Sequence, residues 1–138
     1  MNLSRGAWSC ALAAAVFCAA DGCSTGPAVG TVTGEVTFDG QPVKDGHISF
    51  TPVDGQGQTG GAKIVDGRFK AEQVPATKMK VEIHGNKPTG RKIKAYDTPQ
   101  SPSFDEVVEL LPPKYNFQSE LTLDVKRGSQ DVKYDLKK

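Results

Sequence analysis

Between Thr31 and Phe38 the chain alternates in character: Val32, Val36 and Phe38 are apolar, while Thr33, Glu35 and Thr37 are polar. A period of two sends successive side chains to opposite faces of an extended strand, one face buried and the other in water. The pattern returns at Ile48 and Phe50 between His47, Ser49 and Thr51, and at Met79, Val81 and Ile83 between Lys80, Glu82 and His84. It returns twice more, with Leu121, Leu123 and Val125 set against Thr122, Asp124 and Lys126, and with Val132, Tyr134 and Leu136 near the end. No stretch shows the 3.6-residue period of an amphipathic helix in a convincing form.

What separates these runs is turn chemistry. Asp39-Gly40-Gln41-Pro42 turns the chain after the first run, and residues 54–61 form a Gly-rich loop. Asp66-Gly67, between residues 62–65 and 68–71, is the strongest short hairpin signal in the sequence. Lys126 to Gln130 is a further turn, and the fifteen glycines and nine prolines fit many tight turns. Residues 85–105, rich in Pro, Lys and Ser, are expected to be a long connection holding one short strand at 92–95, answered by 107–111. The result is an all-β prediction: one domain over residues 31–138, with seven to eight antiparallel strands in a two-layer sandwich.

The first residues have a different logic. Arg5 is the only charge before Ala7, and residues 7–20 are an uncharged, mostly apolar run. Such a run falls short of the about 20 residues that span a bilayer but suits the apolar segment of a secretion signal. Residues 1–22 are therefore expected to be a removable leader. Cys10 and Cys18 would leave with it, so Cys23 would be the single cysteine of the mature chain, unable to form an internal disulfide.

Ala20, Asp21 and Gly22 before Cys23 resemble the lipobox of bacterial lipoproteins, with small residues at the third and first positions before the cysteine. The resemblance implies a lipidated Cys23 and a membrane anchor, although Ala20 stands where Leu is usual and Asp21 is a charge where small residues are normal. An ordinary leader peptidase could also cut after Gly22 or Ala20, leaving a soluble protein with a free thiol. Residues 23–30 read as a tether that reaches about 25 Å when extended, so a lipid-anchored domain would sit close to its membrane.

Further along, Gly34-Glu35-Val36-Thr37-Phe38-Asp39-Gly40-Gln41-Pro42-Val43 resembles the opening of carboxypeptidase regulatory-like domains. Gly46-His47-Ile48-Ser49-Phe50, Val65-Asp66-Gly67-Arg68-Phe69 and Val74-Pro75-Ala76-Thr77-Lys78-Met79-Lys80-Val81 are similar to the motifs that follow in that family. Thr77 and Met79 depart from its usual Gly and Tyr. Residues 111–116 and 119–126 are similar to a subgroup of small bacterial lipoproteins with one such domain. The resemblance implies a transthyretin-like Greek-key sandwich. It implies no activity, because these motifs are turn and core chemistry.

Function classes can be narrowed from the residues. A formal net charge of +1 gives no electrostatic case for nucleic acid. Outside the leader only His47 and His84 are available as imidazole ligands, and neither lies in a metal-binding pattern. The Asp-Gly pairs at Asp39, Asp45, Asp54 and Asp66 are scattered among separate turns, unlike a calcium loop. Gly85 to Lys92 has two glycines spaced as in a phosphate loop, but it lacks the Lys-Ser/Thr pair, and Pro88 removes an N–H. Lys87, Arg91, Lys92 and Lys94 could touch lipid phosphates beneath a tethered domain, though a solvated strand edge accounts for them more simply. Tyr96 is a weak candidate for stacking on a sugar, and Tyr115 reads as a structural anchor. The expectation is a non-catalytic binding or structural module at the bacterial cell envelope, without metal or cofactor. It would be held to a membrane through Cys23, with an envelope protein or glycan as partner. The alternative is a soluble periplasmic or secreted carbohydrate- or protein-binding module.

Overall fold

The computed structural model describes residues 26–138; Cys23 and the leader lie outside them. Strand β1 spans Val29–Phe38, β2 Gln41–Pro42, β3 Asp45–Pro52, β4 Gly60–Val65 and β5 Arg68–Pro75. They are followed by β6 Lys78–Lys94, β7 Ser103–Glu109, β8 Thr122–Asp124 and β9 Gly128–Leu136, with a single 3-10 turn at Pro113–Tyr115. The all-β expectation is met. β1 starts at Val29, so the predicted tether gives up its last two residues to the strand.

Alternation decides what is buried. Val32 and Val36 of β1, Ile48 and Phe50 of β3, and Met79, Val81 and Ile83 of β6 are all fully buried, while the polar residues between them face outward. These side chains join Ile64, Phe69, Val74, Leu111, Val125 and Leu136 in one core. The strands follow the order β2-β1-β5-β4-β3-β6-β7, with β9 also on β1 and β8 also on β6. Between β4 and β5 the pairing is confined to Val65 and Arg68 at the turn. Beyond it β4 stays with β3 and β5 with β1, so the sheet curls over the shared core.

Two of the four Asp-Gly pairs become two-residue hairpin turns, whereas Asp45-Gly46, expected in a turn, opens β3 and pairs with Val65 and Ile64. Asp39 and Gly40, and likewise Asp66 and Gly67, have positive φ, and each pair links directly opposed strand residues, Phe38 to Gln41 and Val65 to Arg68. Two positive-φ residues in a two-residue loop match the right-handed twist of the flanking strands.

The described residues form nine strands where seven to eight were expected, and two further expectations need correction. The sheet is not wholly antiparallel: β9 runs parallel to β1 from the pair Gly30 and Gly128 to the pair Phe38 and Leu136. Alternation reports which face of a strand is buried but not the direction of its neighbour. Here the neighbours are the first and last strands, which a parallel arrangement permits because the intervening chain supplies the crossover.

The second correction concerns residues 85–105. They do not form a long connection with one short strand. β6 runs on unbroken for 17 residues, and its second half pairs with β7 as a two-stranded arm. Lys92 to Lys94 face Asp105 to Ser103, while Val107 to Glu109 face Pro88 to Asn86. The expected partners are not made because residues 107–109 are already taken by 86–88; between Pro88 and Lys92 β6 takes four steps while β7 takes two, around Gly90 at φ +80.

Candidate functional site

The arm is where the molecule departs from what a stable sheet requires. Every residue from Asn86 to Lys94 is exposed, and on β7 only Glu106 is partly covered. Ile93, Phe104, Val107 and Val108 are each about half exposed, and Tyr96 at the tip is 72% exposed. Ile93 lies directly opposite Phe104, and Pro88 opposite Val107, so each face of the ribbon carries an apolar pair. An isolated two-stranded ribbon is marginally stable in water, and the apolar side chains left on this one make it the candidate contact surface.

Local bonds hold the ribbon together. At the tip, the Ala95 N–H donates to the Pro102 carbonyl (3.0 Å), and the Tyr96 N–H to the Ser101 hydroxyl (2.7 Å). Midway, the Thr89 hydroxyl donates to Glu106 Oε2 (2.5 Å) and its oxygen accepts the Arg91 N–H (3.3 Å), which fixes the irregular step in β6.

Glu109 secures the base. Its Oε1 accepts the N–H groups of Gly85 (2.8 Å) and Leu111 (3.0 Å), and its Oε2 lies 2.9 Å from His84 Nδ1. Partial burial pushes the carboxyl pKa up, but the two amides and the imidazole together outweigh it, and the group sits below the ordinary glutamate range. Beside it Asn86 Nδ2 donates to Asp45 Oδ2 (2.7 Å), and Lys63 lies 3.3 Å from Asp45 Oδ1. The Asn86 bond first, and Lys63 after it, lower the Asp45 carboxyl in spite of some desolvation. Where arm meets body there is a cleft of about 670 Å³, with Phe38, Pro42, Lys87, Val108, Leu110 and Pro112 in its walls.

The arm and the start of β1 lie at opposite ends of the body. The Ala76 N–H donates to the Ala28 carbonyl (2.7 Å), which places the start of β6 beside the start of β1. β6 then runs the length of the body, reaches its last body pair at Gly85 with Gly46, and continues outward as the arm. At about 3.3 Å per residue the arm reaches some 25–30 Å beyond the body. Lys87, Arg91, Lys92 and Lys94 therefore lie at the end of the molecule opposite Ala28.

Several other sequence candidates find definite places. His47 and His84 are register partners on the outer face of β3 and β6, an adjacency that 36 intervening residues hide from any local motif. No group of three His, Cys, Asp or Glu side chains suited to a metal ion occurs among the described residues. The Tyr115 hydroxyl donates to the Lys137 carbonyl and accepts the Lys137 N–H, both at 2.9 Å, and so pins the C-terminal end as an anchor. Asp54 accepts the Gln56 N–H within its own turn (3.0 Å). Cys23, the predicted lipidation residue, lies outside the described residues. Comparison with protein families, curated proteins and solved structures finds no match to this chain.

Proposed function

We propose that this chain is an exported, lipid-anchored, non-catalytic binding module of the bacterial cell envelope, held by Cys23 at one end and making its contacts through the arm at the other. The observation that carries this reading is the polarity of the molecule. The tether enters beside Ala28, and the apolar, unsupported ribbon leaves from the far end of β6. A rigid body about 33 Å long, from the ten residues of β1, separates the two and lifts the contact surface clear of the headgroups.

The reading as a binding module is supported by how the polar groups are used. The Glu109 carboxylate is occupied by two amides and His84, and Asp45 by Asn86 and Lys63, so both serve to fix the arm's base. The curled, mostly antiparallel sheet is compatible with the transthyretin-like Greek-key sandwich of carboxypeptidase regulatory-like domains, which we propose as its affiliation. The motif residues Asp39, Gly40, Asp66 and Gly67 occupy the turns that this affiliation calls for.

Anchorage is tested by detergent-phase partitioning and incorporation of a labelled fatty acid in the exported full chain. Wild type should enter the detergent phase and carry label; Cys23→Ser should do neither. Partitioning that survives Cys23→Ser would rule out Cys23 lipid as the anchor, and a wild type that stays unlabelled in the aqueous phase would favour the soluble periplasmic alternative.

A further inference from the structure

The two strands of the arm carry opposite charge. Lys87, Arg91, Lys92 and Lys94 all lie on β6, whereas Asp105, Glu106 and Glu109 lie on β7, with Asp97 in the connecting tip. The basic strand is not neutralised from within: among the described residues none of the four cations forms an ion pair, although Lys92 and Asp105 are register partners. A nucleic acid or an anionic surface would select one sign of charge. With Glu109 taken up at the arm's base, an arm with four positive and three negative residues, the signs held on different segments, is complementary to itself.

We propose that the arm's partner is the arm of a second copy, the two ribbons stacked face to face and pointing the same way. Four simple arrangements of two ribbons can be compared. Like edges joined side by side set basic against basic or acidic against acidic, which opposed strands disfavour. Joining the β6 edge to the partner's β7 edge matches charge but does not close, so it adds copies indefinitely. Stacking the faces with the arms antiparallel lays β6 over β6. Stacking them parallel, about a two-fold axis along the arms, lays each β6 over the partner's β7 and brings both Ile93–Phe104 pairs together. This arrangement is closed and apolar at its centre, and its charge match belongs to the strands as a whole, because Lys92, Lys94 and Asp105 share the face opposite Ile93 and Phe104.

The parallel stack also leaves both tethers at one end, as two chains in one membrane require, and in this respect the inference rests on the anchored reading. One face of the ribbon offers on the order of 300 Å² from its length and width, well below the about 800 Å² per partner of a standard interface. Pairing should therefore be weak in free solution and become populated where anchorage raises the effective concentration.

The test places a cysteine at the arm tip, Thr98→Cys, in the full chain exported to the membrane, and follows disulfide-linked dimers under mild oxidation. Parallel stacking brings the tips together and gives a species of doubled mass; antiparallel stacking keeps them apart. An all-acidic arm (Lys87→Glu, Arg91→Glu, Lys92→Glu, Lys94→Glu) and an all-basic arm (Asp97→Lys, Asp105→Lys, Glu106→Lys) should each lose that species. Co-expressed with different tags, the two should regain it as a mixed dimer. Phe104→Ser, which leaves charge untouched, should reduce it by about tenfold or more through lost apolar burial.

A linked dimer that persists in both charge variants and in Phe104→Ser, or a wild-type arm that yields no species of doubled mass, overturns the proposal. So does failure of the mixed pair to form. Linkage to a species of another size would assign the arm to a different envelope protein. The parent chain without Thr98→Cys serves as the control for anchorage, because it dimerises under oxidation only if Cys23 is a free thiol. In that event the same variants are compared in a Cys23→Ser background at raised protein concentration, so the two readings fail separately.

Discussion

Tyr134 is half buried on β9, and its hydroxyl is the one buried side-chain polar atom without a hydrogen-bond partner among the described residues. Burial pushes its pKa up to about 12. A phenol with a raised folded pKa stabilises the fold below its unfolded value of about 10 and loses that contribution as pH rises through the folded value. Tyrosinate absorbance should therefore show a component with a midpoint near 12 that vanishes in Tyr134→Phe. Because the substitution removes an unsatisfied buried group, it should also raise stability in urea by about 1 kcal/mol. Glu109 has the opposite sign. Its lowered carboxyl supports the arm base fully above the unfolded pKa of about 4.3 and loses that support as pH falls through the lower folded value. Amide resonances of Gly85 and Leu111 should report this acid transition, and Glu109→Gln should abolish it.

The hairpin turns allow a comparison between two glycines of like conformation. Gly40 (φ +79) has open space around the position of a Cβ, whereas at Gly67 (φ +77) a Cβ would lie 2.7 Å from Pro42 Cβ. Gly40→Ala should cost about 1 kcal/mol from the left-handed backbone alone, and Gly67→Ala distinctly more because two turns must separate; chemical denaturation of the pair measures the difference. Both turns were legible in the sequence because an Asp-Gly pair leaves the chain few alternatives. The core strands were legible because Val32, Ile48 and Val81 each sit between outward polar neighbours. The arm was not, for a physical reason: a ribbon with no buried face imposes no period on its sequence, so Lys87 to Lys94 looked like loop. Nor could local pattern show that Glu109 would reach the amides of Gly85 and Leu111, or that His47 would lie against His84. The Glu109 bond to Gly85 and the His47–His84 adjacency follow from strand pairing across 24 residues or more, which periodicity does not encode.

At the scale of the whole molecule, arm and body should behave as separate units of stability. The core draws nothing from residues 87–108. Replacing those residues with an Asn-Gly turn should leave the thermal midpoint of the body nearly unchanged and remove only the arm's contacts, as read by scanning calorimetry and by the linkage assay. Cutting the chain before Gly128 should be far more damaging, because β9 lies along nearly the whole length of β1 and contributes buried Leu136. That parallel pairing of the first and last strands has a mechanical consequence. β1 begins at the pole marked by Ala28 and β9 ends at the opposite one, where the Asp39 N–H binds the Leu136 carbonyl. Tension applied between the chain's two ends would slide these strands lengthwise against each other. The bonds from Gly30 to Phe38 would then bear the load in shear, all at once, and could not be opened one by one as in a zipper.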